Sequence, residues 1–181
     1  MTIPENFSFD QNCSKFFTYQ DFFECSDTFK KVECSNLPRQ VDTIKAIAAL
    51  AVNIMDKVVE EFGNLQLTYG FCSPELSKVI PKNIYPKLDQ HAGHEIKKNG
   101  MHICERLGFA SDFIVPDVSS LVVARYIVSN LEFDRLYFYG ENSPIHVSLT
   151  DRPVRSIVLM NMHGDRRVPQ VVSEAKFLTD L

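Results

Sequence analysis

His91, Asp112 and His146 are the residues whose types and surroundings suit one reaction centre. His91 closes the run Asp89-Gln90-His91, Asp112 closes Gly108-Phe109-Ala110-Ser111-Asp112, and His146 lies in Ile145-His146-Val147-Ser148. Two imidazoles and a carboxylate are what a catalytic zinc ion needs, because zinc takes three protein ligands and keeps a fourth position open. Zinc held this way lowers the pKa of its water to about 7 and polarises a carbonyl, which is amide-hydrolysis chemistry. The same donors also accept other first-row ions. Such a centre further needs a group to carry protons. Glu141, His94 and Glu95 are the candidates, each requiring a turn or loop to swing it toward the metal.

Convergence depends on the elements that carry these side chains. Asp112 lies in a predicted strand over 109–115 and His146 in one over 145–149. Neighbouring strands set side chains on one face about 5 Å apart. Leu65 to Tyr69 alternates at period two and reads as a strand. Ser73-Pro74-Glu75 supplies an N-cap, a proline at the first helical position and an early acid, so a short helix is expected to about Ile80. Pro81 and Pro86 bracket an expected irregular loop. His91 to Lys98 reads as a helical turn or two, with His91 and His94 on one face.

Upstream, Ile44, Ile47, Ala48, Ala51, Ile54, Met55, Val58 and Phe62 recur at threes and fours, giving a long amphipathic helix that Gly63-Asn64 ends. Residues 1–36 form a phenylalanine-rich extension (Phe7, Phe9, Phe16, Phe17, Phe22, Phe23, Phe29) expected to pack its rings on the body, residues 37–181. Ser119 or Ser120 caps a helix to about Asn130, and strands are expected over 135–139, 145–149 and 155–160 as an antiparallel meander. The fold class is therefore α+β.

With 181 residues, 45% of them apolar, the chain can furnish a substantial core. Its net charge of −4 and short basic clusters exclude a concentrated nucleic-acid face, so no nucleic-acid partner is expected. No apolar run reaches the roughly 18 residues of a membrane span. MTIPENFSFDQN lacks the charged and apolar regions of a secretory leader, so the expectation is a cytoplasmic protein with no membrane partner. Five cysteines without a C-x-x-C pair read as reduced thiols. Cys72 precedes a helix start that could lower its pKa, although a small packing residue is the simpler reading. Tyr126, Tyr137 and Tyr139 could donate to a transition state, and Arg135 and Arg152 could grip an anion. His102 and His163 read as ordinary polar residues.

Over residues 65–150 the chain resembles the zinc D-alanyl-D-alanine carboxypeptidases and phage endolysins, whose superfamily includes the hedgehog signalling domain. Tyr69-Gly70-Phe71-Cys72-Ser73-Pro74-Glu75 looks like that family's Ser-Gly-Tyr-Arg-Ser-Pro-Glu segment, and Asp89-Gln90-His91 matches part of its Ser-x-His ligand. Gly108, Ala110 and Asp112 match its Gly-x-Ala-x-Asp ligand, and His146 stands for its last histidine.

The resemblance implies a hedgehog/DD-peptidase fold, a Zn2+ cofactor and a small peptide or amide substrate, with peptidoglycan chemistry as the family's setting. Three departures accompany it. His91 and Asp112 are 112 − 91 = 21 residues apart where the family has seven, so residues 92–105 should form a helical excursion beside the site. Cys72 replaces the family's carboxylate-gripping arginine, and Ser143 stands where its general-base glutamate is expected. The expected function is zinc-dependent hydrolysis of an amide or peptide bond. The alternatives are an inactive metal-binding interaction protein on the same fold and a metal hydrolase of a non-peptide metabolite.

Overall fold

The computed structural model describes residues 2–80, 85 and 87–180, so the loop expected between Pro81 and Pro86 lies largely outside the described residues. Six strands form one mixed sheet: β1 (Gln66–Tyr69), β2 (Phe109–Ile114), β3 (Arg135–Phe138), β4 (Ile145–Leu149), β5 (Ser156–His163) and β6 (Arg166–Val172), in the order β1-β2-β4-β3-β5-β6. The helices are α1 (Tyr19–Glu24), α2 (Val41–Leu50), α3 (Asp56–Phe62), α4 (Pro74–Ser77), α5 (Ser120–Asn130) and α6 (Glu174–Thr179). The architecture is α+β.

The periodicity of residues 44–62 produces one helical run, α2 and α3, joined through a π-helical stretch at Ala51–Met55. The run ends at Gly63, whose φ of 87° suits a residue without a side chain. Its apolar stripe, with Ile47, Leu50, Ile54, Met55 and Val58 fully buried, lies in the same core as Phe109 and Phe113 of β2 and Val147 of β4. Side chains alternate across a strand, so Asp112, next to Phe113, points to the other face. One face of the sheet is thus committed to the core, and the other carries the candidate site.

Part of the N-terminal phenylalanine set enters the core. Phe22 and Phe23 are buried, Phe22 meets Phe109 edge to face at 5.9 Å, and Phe23 meets Phe71 at 5.8 Å. Phe16 stays exposed. α1 itself is closed by a capping box between Thr18 and Asp21.

Three expectations are corrected. β3, β4 and β5 do not form a meander: β3 pairs antiparallel with β4 but parallel with β5, so residues 150–155 carry the chain past the end of β3. Arg155 anchors that link at φ 50°, with its guanidinium on the carbonyls of Val128 and Leu131 and on Glu174. The expected helical excursion at 92–105 is irregular, folded back by a one-pair bridge between Ile96 and His102 and by backbone bonds from Lys97 to Met101 and from Ile103 to Glu95. Gly93 and Gly100, both at positive φ, break any helical continuation. α4 ends at Ser77, short of Ile80, and β6 and α6 complete a tail that lacked a clear sequence signal.

Candidate metal centre

The sheet register aligns four site residues in one transverse row. Tyr69 of β1 faces Asp112 of β2, Asp112 faces His146 of β4, and His146 faces Tyr137 of β3. Directly paired residues share a face, so this row needs no loop to assemble it. A bulge between Leu67 and Tyr69 brings Tyr69 into line, because Leu67 still pairs with Phe113. The Ser111 hydroxyl donates to the Tyr69 carbonyl and fastens the bulge to β2.

His91 comes from outside the sheet, on a short 3-10 turn over Gln90–Ala92. Gln90, almost wholly buried, docks that turn: its amide donates to the Leu107 carbonyl and to Asp134, while its oxygen accepts from Ser148 of β4. Asp89 caps the turn by accepting from the His91 N–H. The Cys72 N–H donates to the His91 carbonyl. The tripeptide thus supplies a cap, an anchor and a ligand, in that order. Gly108 precedes β2 at φ 69°, where any side chain would overlap the Leu149 carbonyl oxygen, so glycine is required at this approach.

The triad's polar atoms meet. Asp112 Oδ1 lies 2.8 Å from His146 Nδ1 and 3.3 Å from His91 Nε2, and the two imidazole nitrogens are 3.2 Å apart. Bonds of about 2.0–2.1 Å around a tetrahedral ion set ligand atoms about 3.3 Å apart, so two of the three separations already suit zinc and the third must open by about 0.5 Å. His91 Nδ1, 2.8 Å from the Gly70 carbonyl, carries the ring's hydrogen toward that oxygen and leaves Nε2 free for a metal. The Tyr69 ring stands against His91 with centroids 4.4 Å apart, and its buried hydroxyl has no hydrogen-bond partner among the described residues. Among those residues, this is the one group of three or more His, Cys, Asp or Glu side chains close enough to share an ion.

Electrostatics support the same reading. Burial works against charge on both His91 and Asp112, yet each group's charge favours the charged form of the other. The Asp112 charge, helped by Asp89 and the Gly70 carbonyl, raises His91 above its usual value, while His91 and His146 hold Asp112 well below the carboxylate range. The residues therefore fit a divalent ion in donor type, spacing and charge.

The other sequence candidates lie elsewhere. The Glu95 carboxylate is buried at the start of α2, where Oε1 accepts from the N–H groups of Arg39 and Gln40 and from the Thr43 hydroxyl. Glu141 is exposed and accepts from Ser119, the cap of α5. His94 Nε2 accepts from the Gly108 N–H, and burial pushes its pKa down. None of the three joins the ligand group. His102 is bonded to the His94 carbonyl, and His163 is exposed at the end of β5.

The Cys72 thiol is pushed up to about 12 by burial, the opposite of what a nucleophile requires. Tyr126 packs on Phe62, Arg135 lies beside Asp134, and Arg152 is exposed. Tyr139 lies under the Arg167 guanidinium at 4.8 Å. Tyr137 stands edge-on to His146 with centroids 4.9 Å apart, and its hydroxyl accepts from Arg106 at 3.1 Å. Arg106 is the site neighbour that sequence reasoning missed, since nothing in Glu105-Arg106-Leu107 signals a partner on β3.

Among the described residues no helix is long and apolar enough to cross a membrane, and all five cysteines are free. No family model, no curated protein and no solved structure matches this chain.

Proposed function

We propose that this chain is a zinc-dependent hydrolase of an amide or peptide bond, a divergent relative of the D-Ala-D-Ala carboxypeptidases and endolysins on the hedgehog-type fold. The observation that carries the reading is the convergence of His91, Asp112 and His146 across 21 and 34 residues of sequence, the second interval being the Asp112–His146 pair. Support also comes from the oriented His91 ring, whose Nδ1 is held by the Gly70 carbonyl. A bound metal would supply Lewis acidity and an activated nucleophile at neutral pH. The chain's own share is to fix the ligand nitrogens, to place Asp112 as a charged ligand and to set Tyr137 against His146.

A second reading has its own observation. Glu95 and Glu141 are each engaged at a helix start, so neither of the two carboxylates expected as base stands at the ligand group. A metal-binding protein without hydrolytic activity fits that arrangement. Metal analysis of the purified protein, followed by an amide and peptide panel with His146→Ala as control, separates the two. Stoichiometric metal with cleavage lost in His146→Ala supports the hydrolase; stoichiometric metal with no cleavage of any substrate supports the binding protein; no metal at all ends both.

A further inference from the structure

We infer that Tyr137, oriented by Arg106, is the hydrogen-bond donor that receives the substrate's acyl oxygen at this centre. The inference rests on the metal reading above and adds to it the group that meets developing negative charge. Its basis is the pairing of Tyr137 with His146 in the transverse row, together with the direction of one hydrogen bond.

A guanidinium has only donors, so in the 3.1 Å contact Arg106 Nη1 gives and the Tyr137 oxygen accepts. The tyrosine's own hydrogen must then point elsewhere, and among the described residues it has no acceptor. The same Arg106 Nη1 also donates to the Leu88 carbonyl at 3.4 Å, which ties the guanidinium to the segment that leads into the His91 turn. The phenol ring is fixed by β3 and by its edge-on stance against His146. The result is an O–H with a set orientation, beside a ligand imidazole, backed by a positive charge. Oriented donors of this kind stabilise an oxyanion because they need no reorganisation as the charge develops.

Tyr69 occupies the mirror position at the other end of the row, but its hydroxyl is buried. Tyr137 and Arg106 are only partly buried, so a ligand arriving from solvent can reach them. The chemical class implied is a carbonyl or carboxyl oxygen that gains negative charge. Tyr137 touches that oxygen and is catalytic in this sense; Arg106 acts through Tyr137 and is a positioning residue.

The test uses the full chain loaded with cobalt(II), whose visible spectrum reports ligands at the centre, and titrates it with acetate. Tyr137→Phe should weaken acetate binding about tenfold, the effect of one hydrogen bond to a charged group, with cobalt affinity unchanged. Arg106→Met should weaken it less and add nothing in the Tyr137→Phe background, since a positioning residue has no effect once its target is gone. Cobalt bound normally with acetate affinity unaltered in Tyr137→Phe overturns the inference and leaves the metal site standing. An additive loss in the double variant overturns the positioning role of Arg106. Failure of the unaltered chain to bind cobalt overturns the metal reading and this inference together.

Discussion

Asp112 and His146 are direct cross-strand partners on β2 and β4, with Oδ1 and Nδ1 2.8 Å apart. The backbone ladder fixes this pair, so an ion held here would meet two donors that the sheet has already placed. Replacing either ligand removes a donor that the sheet has already positioned. Asp112→Ala and His146→Ala should each lower zinc affinity by more than the about 10–100-fold that loss of an outer-shell partner causes. Calorimetric titration with zinc reads the change, and circular dichroism should show the fold retained, because both residues lie on the face away from the core.

The outer-shell partner of His91 offers a finer perturbation. Gly70 presents its carbonyl to His91 Nδ1, and any side chain at this position would overlap the Phe22 carbonyl oxygen. Gly70→Ala should therefore push α1 and its buried phenylalanines away from β1. The expected outcome is a loss of about 1–3 kcal/mol of stability, the usual size of an overpacking defect, with a drop in zinc affinity alongside it. A variant that unfolds at the same denaturant midpoint as the parent would contradict this placement of Gly70.

The pH dependence of the metal-free protein follows from the paired charges. His91 is raised in the folded state, so its contribution to stability is complete below its unfolded value of about 6.5 and is lost as pH rises through the folded value. Asp112 is depressed, so its contribution is complete above its unfolded value of about 3.9 and is lost as pH falls. Both are fully present only between about pH 4 and 6.5. Zinc competes with the proton on His91, so its stabilising effect should grow as pH rises past that window. Thermal unfolding at pH 5.5 and 8, with and without zinc, should show the larger zinc-induced rise at pH 8. An equal rise at both values would place the His91 proton elsewhere.

The triad was legible because each ligand sits in a short motif whose neighbours have local work to do: Gly108 for a close approach, Asp89 as cap and Gln90 as anchor. The α2–α3 run was legible from its apolar period, and β2 and β4 from their bounded apolar runs. The strand order was not, because the parallel pairing of β5 with β3 depends on Arg155 reaching Glu174 and two carbonyls of the α5 terminus, contacts with no local sequence signature. The segment 92–105 misled for a related reason. Its His94 and Glu95 have helical spacing from His91, yet the pull of Thr43 and of the α2 N-terminus, together with Gly93 at positive φ, holds it irregular.

Glu95 consequently has a prediction of its own. It accepts three hydrogen bonds at the start of α2 while almost fully buried, so Glu95→Gln should lose charge-assisted bonds and leave a buried amide poorly matched to its donors. A destabilisation of about 1–3 kcal/mol is expected in urea unfolding. Zinc affinity should stay close to the parent's. Glu141→Gln, at an exposed cap, should cost less than about 1 kcal/mol. If Glu95→Gln keeps full stability but abolishes amide cleavage, Glu95 is the base and its helix-capping role is secondary.

Activity toward D-alanyl-D-alanine peptides is the sharpest consequence of the site's departures from the family it resembles. Cys72 is buried with its thiol neutral, so it cannot hold a substrate carboxylate as a guanidinium would. Ser143 lies in the turn after Gly140, its carbonyl accepting from Ser120, and a serine hydroxyl cannot take and return a proton at neutral pH as a carboxylate does. Loss of a general base typically removes about 10²–10⁴ in rate, so zinc-loaded protein should show little or no D-Ala-D-Ala carboxypeptidase activity. Other amides are a separate matter, because Tyr137 and Arg106 supply an anion-receiving pole that does not depend on position 72. Cleavage of the D-Ala-D-Ala peptide at a robust rate, abolished by His146→Ala, would show that neither departure limits the chemistry. Cleavage confined to other amides, weakened in Tyr137→Phe, would show instead that recognition has moved from position 72 to the Arg106–Tyr137 pair.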